Sequence, residues 1–112
     1  MADTLTRTFA ALADPTRRAM LAELAGGALT VNQLVDRHHL SQPAISKHLK
    51  VLEGAGLIRR GRAAQTRPCI LNPEGLQAVD GWLERYRGHW TAAFDRMEAL
   101  IRRLDQGNGG KA

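Results

Sequence analysis

A short segment in the middle of the chain, between Leu40 and Arg60, carries side chains that can contact nucleic acid. If it forms a helix over 42–53, its apolar residues share one face and its polar residues occupy the other face and its flanks. The polar set is Gln42, Ser46, Lys47, His48 and Lys50. Glutamine can pair with adenine through two hydrogen bonds, lysine binds guanine or phosphate, and serine is an adaptable partner. These residue types favour a surface that reads DNA in the major groove; an ordinary amphipathic surface helix is the alternative.

The positive charge of the chain is concentrated in the same region. The chain has 112 residues and a net charge of +5. Seven basic and two acidic residues lie between Thr30 and Asn72, whereas the rest of the chain has nine of each. A basic central segment between segments without net charge indicates a polyanionic partner. Charge alone is also consistent with a basic surface that only contacts solvent.

Two short helices joined by a tight turn would position the polar surface. Thr30 is the predicted N-cap of the first helix, and Ser41 is the predicted N-cap of the second. Pro43 lies in the first turn of the second helix, where its missing N–H costs nothing. That helix would end at Gly54 or Gly56. The pattern predicts a helix-turn-helix.

A basic hairpin is predicted directly after the second helix. Residues 57–60 form one predicted strand, residues 66–71 the other, and residues 61–65 the loop. Pro68 has no N–H to donate, so an edge strand or a bulge is expected there. In this position a basic hairpin is a wing.

Two predicted helices precede the basic centre. A first helix over 4–12 has its apolar residues on one side. Asp14 as N-cap and Pro15 at the first helical position start a second helix, which stops at Gly26 and Gly27.

The last predicted helix starts at 72–74 and carries apolar residues at alternating intervals of three and four. This heptad seam consists of Leu76, Val79, Leu83, Tyr86, Trp90, Ala93, Met97, Leu100 and Leu104. A single chain could hardly bury all of the seam, so it predicts that two copies pair. Gly81 and Gly88 each weaken the helix by roughly 1 kcal/mol relative to alanine and leave open whether it is continuous or broken.

From Phe9 to Pro73 the chain resembles the winged-helix repressors of the ArsR/SmtB family. The resemblance lies in ALADPTRRAML, in LSQPAISKHLKVLEGAGLI and in a wing that ends in ILNP. It implies a mostly α fold with a small β-hairpin, a winged helix-turn-helix that dimerises through its first and last helices. It also implies a homodimer that represses transcription by binding a palindromic operator in double-stranded DNA. One domain is expected over 1–105, followed by a disordered tail over 106–112.

Carried onto this sequence, the resemblance assigns two sets of functional residues. The DNA-binding set is Thr30, Ser41, Gln42, Pro43, Ser46, Lys47, His48, Lys50, Arg60, Arg62 and Arg67. The dimer-interface set is Leu5, Phe9, Leu83, Tyr86, Trp90, Phe94, Met97 and Ile101.

Metal-sensing members of that family have motifs that this sequence lacks. One of their sites needs Cys-x-Cys on the helix before the recognition helix, which here reads TVNQLVDRH without a cysteine. Another uses paired Asp and His on the last helix, where His89 is the one histidine. We therefore expect no metal site and no cofactor, and the chain resembles a metal-independent branch of the family. A ligand- or metal-responsive sensor stays an alternative, and an inducer, small molecule or protein, stays open.

The sequence argues against several other classes of protein. Ser46 and His48 are two residues apart on one helix and face different directions, and no phosphate loop or paired carboxylate site appears, so we expect no enzyme. No apolar run approaches the ~18 residues that span a bilayer. The absence of a secretory signal and the single cysteine, Cys69, favour a reducing cytoplasm. The remaining alternative is a winged-helix module that binds proteins without reading DNA sequence.

Overall fold

The computed structural model describes residues 3–62 and 66–109. Its elements in chain order are α1 (Thr4–Leu12), α2 (Pro15–Leu24), α3 (Val31–His38), α4 (Gln42–Gly54), β1 (Ile58–Arg60), β2 (Cys69–Leu71), a 3-10 turn (Pro73–Leu76) and α5 (Gln77–Gly109). The predicted fold class, mostly helical with a small hairpin behind a helix-turn-helix, is confirmed. The described residues up to Val79 form one compact unit and those from Asp80 onward form a second, so the domain predicted over 1–105 comprises two compact units.

Side-chain caps start the first four helices. Asp3 Oδ1 accepts from the Thr6 backbone N–H at 2.7 Å, and Asp14 Oδ2 accepts from the Arg17 N–H at 3.0 Å. Ser41 caps α4 in the same way. Thr30 caps α3 in the same way. The predicted N-caps of α2, α3 and α4 are therefore confirmed. Each of these side chains accepts a hydrogen bond from a backbone N–H that has no partner within the helix.

The core of the first unit is built from aliphatic side chains of α2, α3, α4 and the wing. Its largest fully buried apolar members are Met20, Leu34, Ile45, Leu49, Leu52, Leu57 and Ile58. Three of these lie on α4, which confirms the buried stripe expected for that helix. Burial of this stripe fixes the rotation of α4 and leaves its polar face in solvent.

The turn between α3 and α4 depends on one residue in the left-handed region. His39 has φ 53° and ψ 35°, and its backbone N–H donates to Val35 O at 2.9 Å. This geometry ends α3 and reverses the chain into the Ser41 cap of α4. The tight turn predicted from the sequence therefore exists, with a histidine where glycine is usual.

The wing is a two-stranded antiparallel hairpin in which Ile58 pairs with Leu71 and Arg60 with Cys69. On its other side Cys69 forms a bridge with Leu29, in the segment between α2 and α3. Both strands are shorter than predicted. Residues 66–68 are not in the strand, because Arg67 has φ 33° and Pro68 cannot donate to a ladder. Residues 63–65 of the predicted loop lie outside the described residues.

The last helix, α5, is continuous over 33 residues, with no break at Gly81 or Gly88. It continues to Gly109, so residues 106–109, which we expected in a disordered tail, are helical; residues 110–112 lie outside the described residues. Among the described helices, α5 included, no stretch combines the length and hydropathy needed to cross a bilayer.

Candidate nucleic-acid interface

The solvent-facing side of α4 displays most of the residues predicted to bind DNA. Its exposed members are Gln42, Pro43, Ser46, Lys47 and Lys50, and the capping residue Ser41 is exposed beside them. Their positions follow from the buried stripe on the opposite side of the helix. The first two and a half turns of α4 therefore present an exposed polar face, with two lysines that can approach phosphates.

A cleft of about 320 Å³ lies where the N-termini of α3 and α4 meet the wing. It is lined by Thr30, Val31, Asn32, Gln42, Arg60, Thr66 and Arg67. Four residues of the predicted set, distant in sequence, thus meet in one place. Two helix N-termini and two arginines surround this cleft, an arrangement that suits phosphate oxygens. Asn32 was not among the predicted residues, and no local sequence signal distinguishes it from any exposed residue of α3.

Thr30 and Gln33 form a capping box at the start of α3. Thr30 Oγ1 accepts from the Gln33 N–H at 3.2 Å, and Gln33 Oε1 accepts from the Thr30 N–H at 2.8 Å. The Thr30 hydroxyl oxygen therefore accepts the capping hydrogen bond. Its O–H group can still donate to a phosphate oxygen.

Arg60 stabilises the wing through hydrogen bonds between its two sides. Its Nε and Nη2 donate to Arg67 O at 3.0 Å and 2.9 Å, and the residue is half-buried. A guanidinium has five N–H groups, so three remain for another partner. Arg62 and Arg67 have exposed side chains. Of the three wing arginines predicted to bind DNA, Arg60 is thus hydrogen-bonded within the hairpin, and the other two are exposed to solvent.

His48 differs from the other polar residues of α4, because it is half-buried and has a partner on another helix. Its Nδ1 lies 3.3 Å from Nη1 of Arg17 on α2. Sequence reasoning placed His48 on the reading face and gave Arg17 no role. A contact between residues 31 positions apart leaves no local pattern from which it could have been predicted.

The pKa values of two groups near the interface, the Asp14 carboxyl and the Cys69 thiol, are shifted by their surroundings. The pKa of Asp14 is lowered, first by the hydrogen bond from the backbone N–H of Arg17, while desolvation opposes this effect and the positive charge of Arg17 supports it. Burial raises the pKa of the Cys69 thiol, and the charge of Arg60 partly offsets this effect. Cys69 is fully buried, so its thiol stays protonated and serves as a small core residue. Within residues 3–62 and 66–109, no three His, Cys, Asp or Glu side chains converge as a metal site would require.

The second unit presents an apolar stripe on α5. Exposed fractions are 37% for Trp90, 61% for Phe94, 57% for Met97 and 52% for Ile101, with Tyr86 also exposed. Leu83 is half-buried. On α1, Leu5 is half-buried and Phe9 is exposed. The exposed residues of α5 therefore follow the apolar stripe that the sequence predicts for this helix.

Comparison with known proteins places this geometry in a family. A family model described as "Bacterial regulatory protein, arsR family" matches residues 14–60. The chain is 42% identical to an HTH-type transcriptional regulator of Mycobacterium tuberculosis, Rv2034, over 95 residues that cover 85% of this chain and 86% of that protein. It is 35% identical to the transcriptional repressor SdpR of Bacillus subtilis, over 70% of this chain and 88% of that one.

A solved structure gives the same result. The ArsR-like transcriptional regulator from Rhodococcus sp. RHA1 is 31% identical, with a TM-score of 0.68 over 90% of this chain and 92% of that one. The winged helix-turn-helix, its exposed α4 and these relatives agree, and the chain therefore belongs to the ArsR family of DNA-binding transcriptional regulators, which are not enzymes.

Proposed function

We propose that this chain is a homodimeric repressor of transcription that binds a palindromic operator in double-stranded DNA. The observation that carries the proposal is the exposed polar face of α4 beside the cleft formed with the wing. That arrangement supplies base-reading and phosphate-binding groups on one surface.

The reading mechanism follows from where each group lies. Gln42 and Ser46 are exposed on the first turns of α4, the part of a recognition helix that contacts base edges. Lys47, Lys50, Arg62 and Arg67 would contribute contacts to phosphates, which set affinity and its dependence on salt. Phosphate contacts hold the register of α4 on the duplex, and base contacts then select the sequence.

Pairing of two chains is supported by the apolar stripe of α5. A helix of 33 residues extends for about 50 Å, enough for several layers of paired side chains. A two-fold dimer presents two copies of α4, and a palindrome with half-sites about 34–36 Å apart is the matching DNA.

Repression is proposed because SdpR, one of the relatives at 35% identity, is itself a transcriptional repressor. An operator-bound dimer would compete with transcription initiation, in the cytoplasm where the DNA lies. Release would require an inducer, a small molecule or a protein, that alters the spacing of the two α4 helices or the pairing of the chains.

Binding to a randomised duplex library at ~150 mM salt tests the proposal, since weak nonspecific binding is reduced at this salt concentration. We expect enrichment of a symmetric site, and a footprint of two half-sites. Recovery of sequences without symmetry, or no enrichment, would contradict the proposal and favour a protein-binding winged-helix module.

Two substitutions separate affinity from sequence preference. Lys47→Ala should weaken binding to operator and random DNA alike and reduce the slope of log affinity against log salt by about one. Gln42→Ala should mainly reduce the preference for one base pair, by about 1–3 kcal/mol. Arg103→Ala on α5 is the control, because it also removes one exposed positive charge and is not among the residues predicted to bind DNA. Equal losses on operator and random DNA for Gln42→Ala would refute its assigned role.

A further inference from the structure

The guanidinium of Arg17 connects three helices. Its Nε donates to Ala11 O at 2.7 Å and its Nη2 to Ala10 O at 3.1 Å, at the C-terminal end of α1. Its Nη1 lies 3.3 Å from His48 Nδ1 on α4. The backbone N–H of Arg17 is held in turn by the Asp14 carboxylate. Arg17 is thus fixed at both its backbone and its guanidinium and reaches the recognition helix.

The chemistry of this contact determines which atom of His48 carries the proton. A guanidinium only donates hydrogen bonds and remains charged at all ordinary pH values, so Nδ1 must accept. A neutral imidazole that accepts at Nδ1 carries its proton on Nε2. A doubly protonated ring would place an N–H against the guanidinium and lose the contact.

We propose that Arg17 is a positioning residue that holds His48 as a neutral ring with Nε2–H outward, so that α4 offers a hydrogen-bond donor at this position. The proposal rests on the proposed function, since it concerns the same DNA-reading surface. It makes Arg17 a determinant of sequence preference without requiring that Arg17 touch a base.

The surroundings of His48 give its ring access to DNA. His48 is half-buried and lines an open groove of about 420 Å³ together with Arg17, Lys47, Lys50 and Val51. The two lysines would draw a phosphate backbone to this groove. A donor there can bind N7 or O6 of guanine, N7 of adenine, O4 of thymine or a phosphate oxygen, but not the amino group of cytosine.

Arg18 provides a matched control on the same corner of the fold. Its Nη1 donates to Leu12 O at 2.6 Å, so it too binds a carbonyl at the end of α1. Arg17→Gln and Arg18→Gln remove the same charge; the first removes two hydrogen bonds to α1 and the second removes one, but only the first removes the partner of His48. An effect that arises only from losing hydrogen bonds to the end of α1 would therefore be observed in both variants.

The first arm of the test is nitrogen NMR of the free protein labelled at its four histidines, with His48 assigned from the His48→Ala variant. At pH ~8, where ordinary imidazoles are neutral, we expect His48 in wild type and Arg18→Gln to show an unprotonated Nδ1 shifted by an accepted hydrogen bond. In Arg17→Gln that shift should be lost. A doubly protonated ring, which the Asp14 carboxylate in the same corner would favour, overturns the proposal, as does an unchanged Nδ1 signal in Arg17→Gln.

The second arm is base preference, measured with operators altered at single positions. Arg17→Gln should reduce discrimination at one base pair of each half-site about fivefold, the effect of a single net hydrogen bond. His48→Ala should affect the same base pair, and the double variant should equal His48→Ala alone, because Arg17 acts through the ring. Additive losses, or equal losses for Arg18→Gln, overturn the positioning role.

The two arms separate the inference from the proposed function. If wild type selects no DNA sequence, the proposed function fails and the recognition role of His48 fails with it, while the NMR arm still decides whether Arg17 holds the ring. If wild type selects an operator and Arg17→Gln keeps the same base preference, only the inference fails.

Discussion

At the scale of single residues, two carboxylates that cap helices contribute to the stability of this fold. Asp3 and Asp14 both accept backbone N–H bonds, from Thr6 and Arg17, and these bonds lower the pKa of each carboxyl below its ordinary 3.8. A group with a lowered folded pKa contributes stability above its unfolded pKa and loses that contribution as pH falls through the folded value. The caps therefore act fully at neutral pH and weaken in acid.

Asp14→Asn tests how far the stability of the fold depends on the charge of the Asp14 carboxylate. Asparagine keeps the cap, but it has no charge to titrate. The stability difference between wild type and variant should be constant near neutral pH and should shrink as pH falls below about 3.8. Urea unfolding from pH 7 to pH 2 measures it, with Asp3→Asn as a second capping variant. A difference that stays constant down to pH 2 would show that the Asp14 charge has no part in stability.

Cys69 gives a second prediction at this scale, since its thiol is fully buried and burial raises its pKa. Only the thiolate reacts with disulfide reagents, so labelling of the native protein at pH 8 should be slow and should become rapid in urea. The chain has a single cysteine, which makes the signal unambiguous. Rapid stoichiometric labelling without denaturant would contradict the buried position.

At the scale of elements, two turns are shaped by residues with positive φ. His39 ends α3 at φ 53°, and Gly56 follows α4 at φ 75°. Only glycine adopts this region without a steric cost from Cβ. The first turn therefore stores local strain in the helix-turn-helix, whereas the second does not.

Opposite substitutions at these turns should have opposite effects. We expect His39→Gly to raise the free energy of unfolding by a few tenths to about 1 kcal/mol, and Gly56→Ala to lower it by about 1 kcal/mol. Chemical denaturation of both variants measures this. Destabilisation by His39→Gly would mean that the side chain of His39 contributes more than its backbone geometry costs.

At the scale of the whole molecule, the proposed dimer depends on the α5 stripe. Phe94 is 61% exposed in the single chain, so a charged residue there should cost the folded chain little. In a paired helix the same position would be buried, and a charge would be strongly unfavourable.

Phe94→Glu should therefore shift the chain to monomers in sedimentation equilibrium. It should also weaken operator binding by more than about tenfold, because the dimer would lose the roughly 1.5–3 kcal/mol gained by burying one aromatic side chain. Ala92→Glu is the matched control, because it adds the same charge at a position outside the apolar stripe, in a groove lined by Arg85 and Arg96. A Phe94→Glu variant that remains dimeric would contradict the proposed interface.

The sequence by itself determined the caps, the order of the helices and the polar face of α4. Asp14, Thr30 and Ser41 cap helices through bonds to N–H groups three residues away, and the stripe of Ile45, Leu49 and Leu52 repeats with the helical period. Signals of this kind are local, so reading along the chain finds them.

Only the tertiary structure decided which of these residues meet. Arg17 reaches His48 across 31 residues, and the cleft joins Thr30, Gln42 and Arg60 from three different elements. Such contacts depend on how packed helices are rotated and spaced, which the buried side chains determine together. No short stretch of sequence carries that information, and for this reason the donor form of His48 and the bracing role of Arg60 became visible only in the fold.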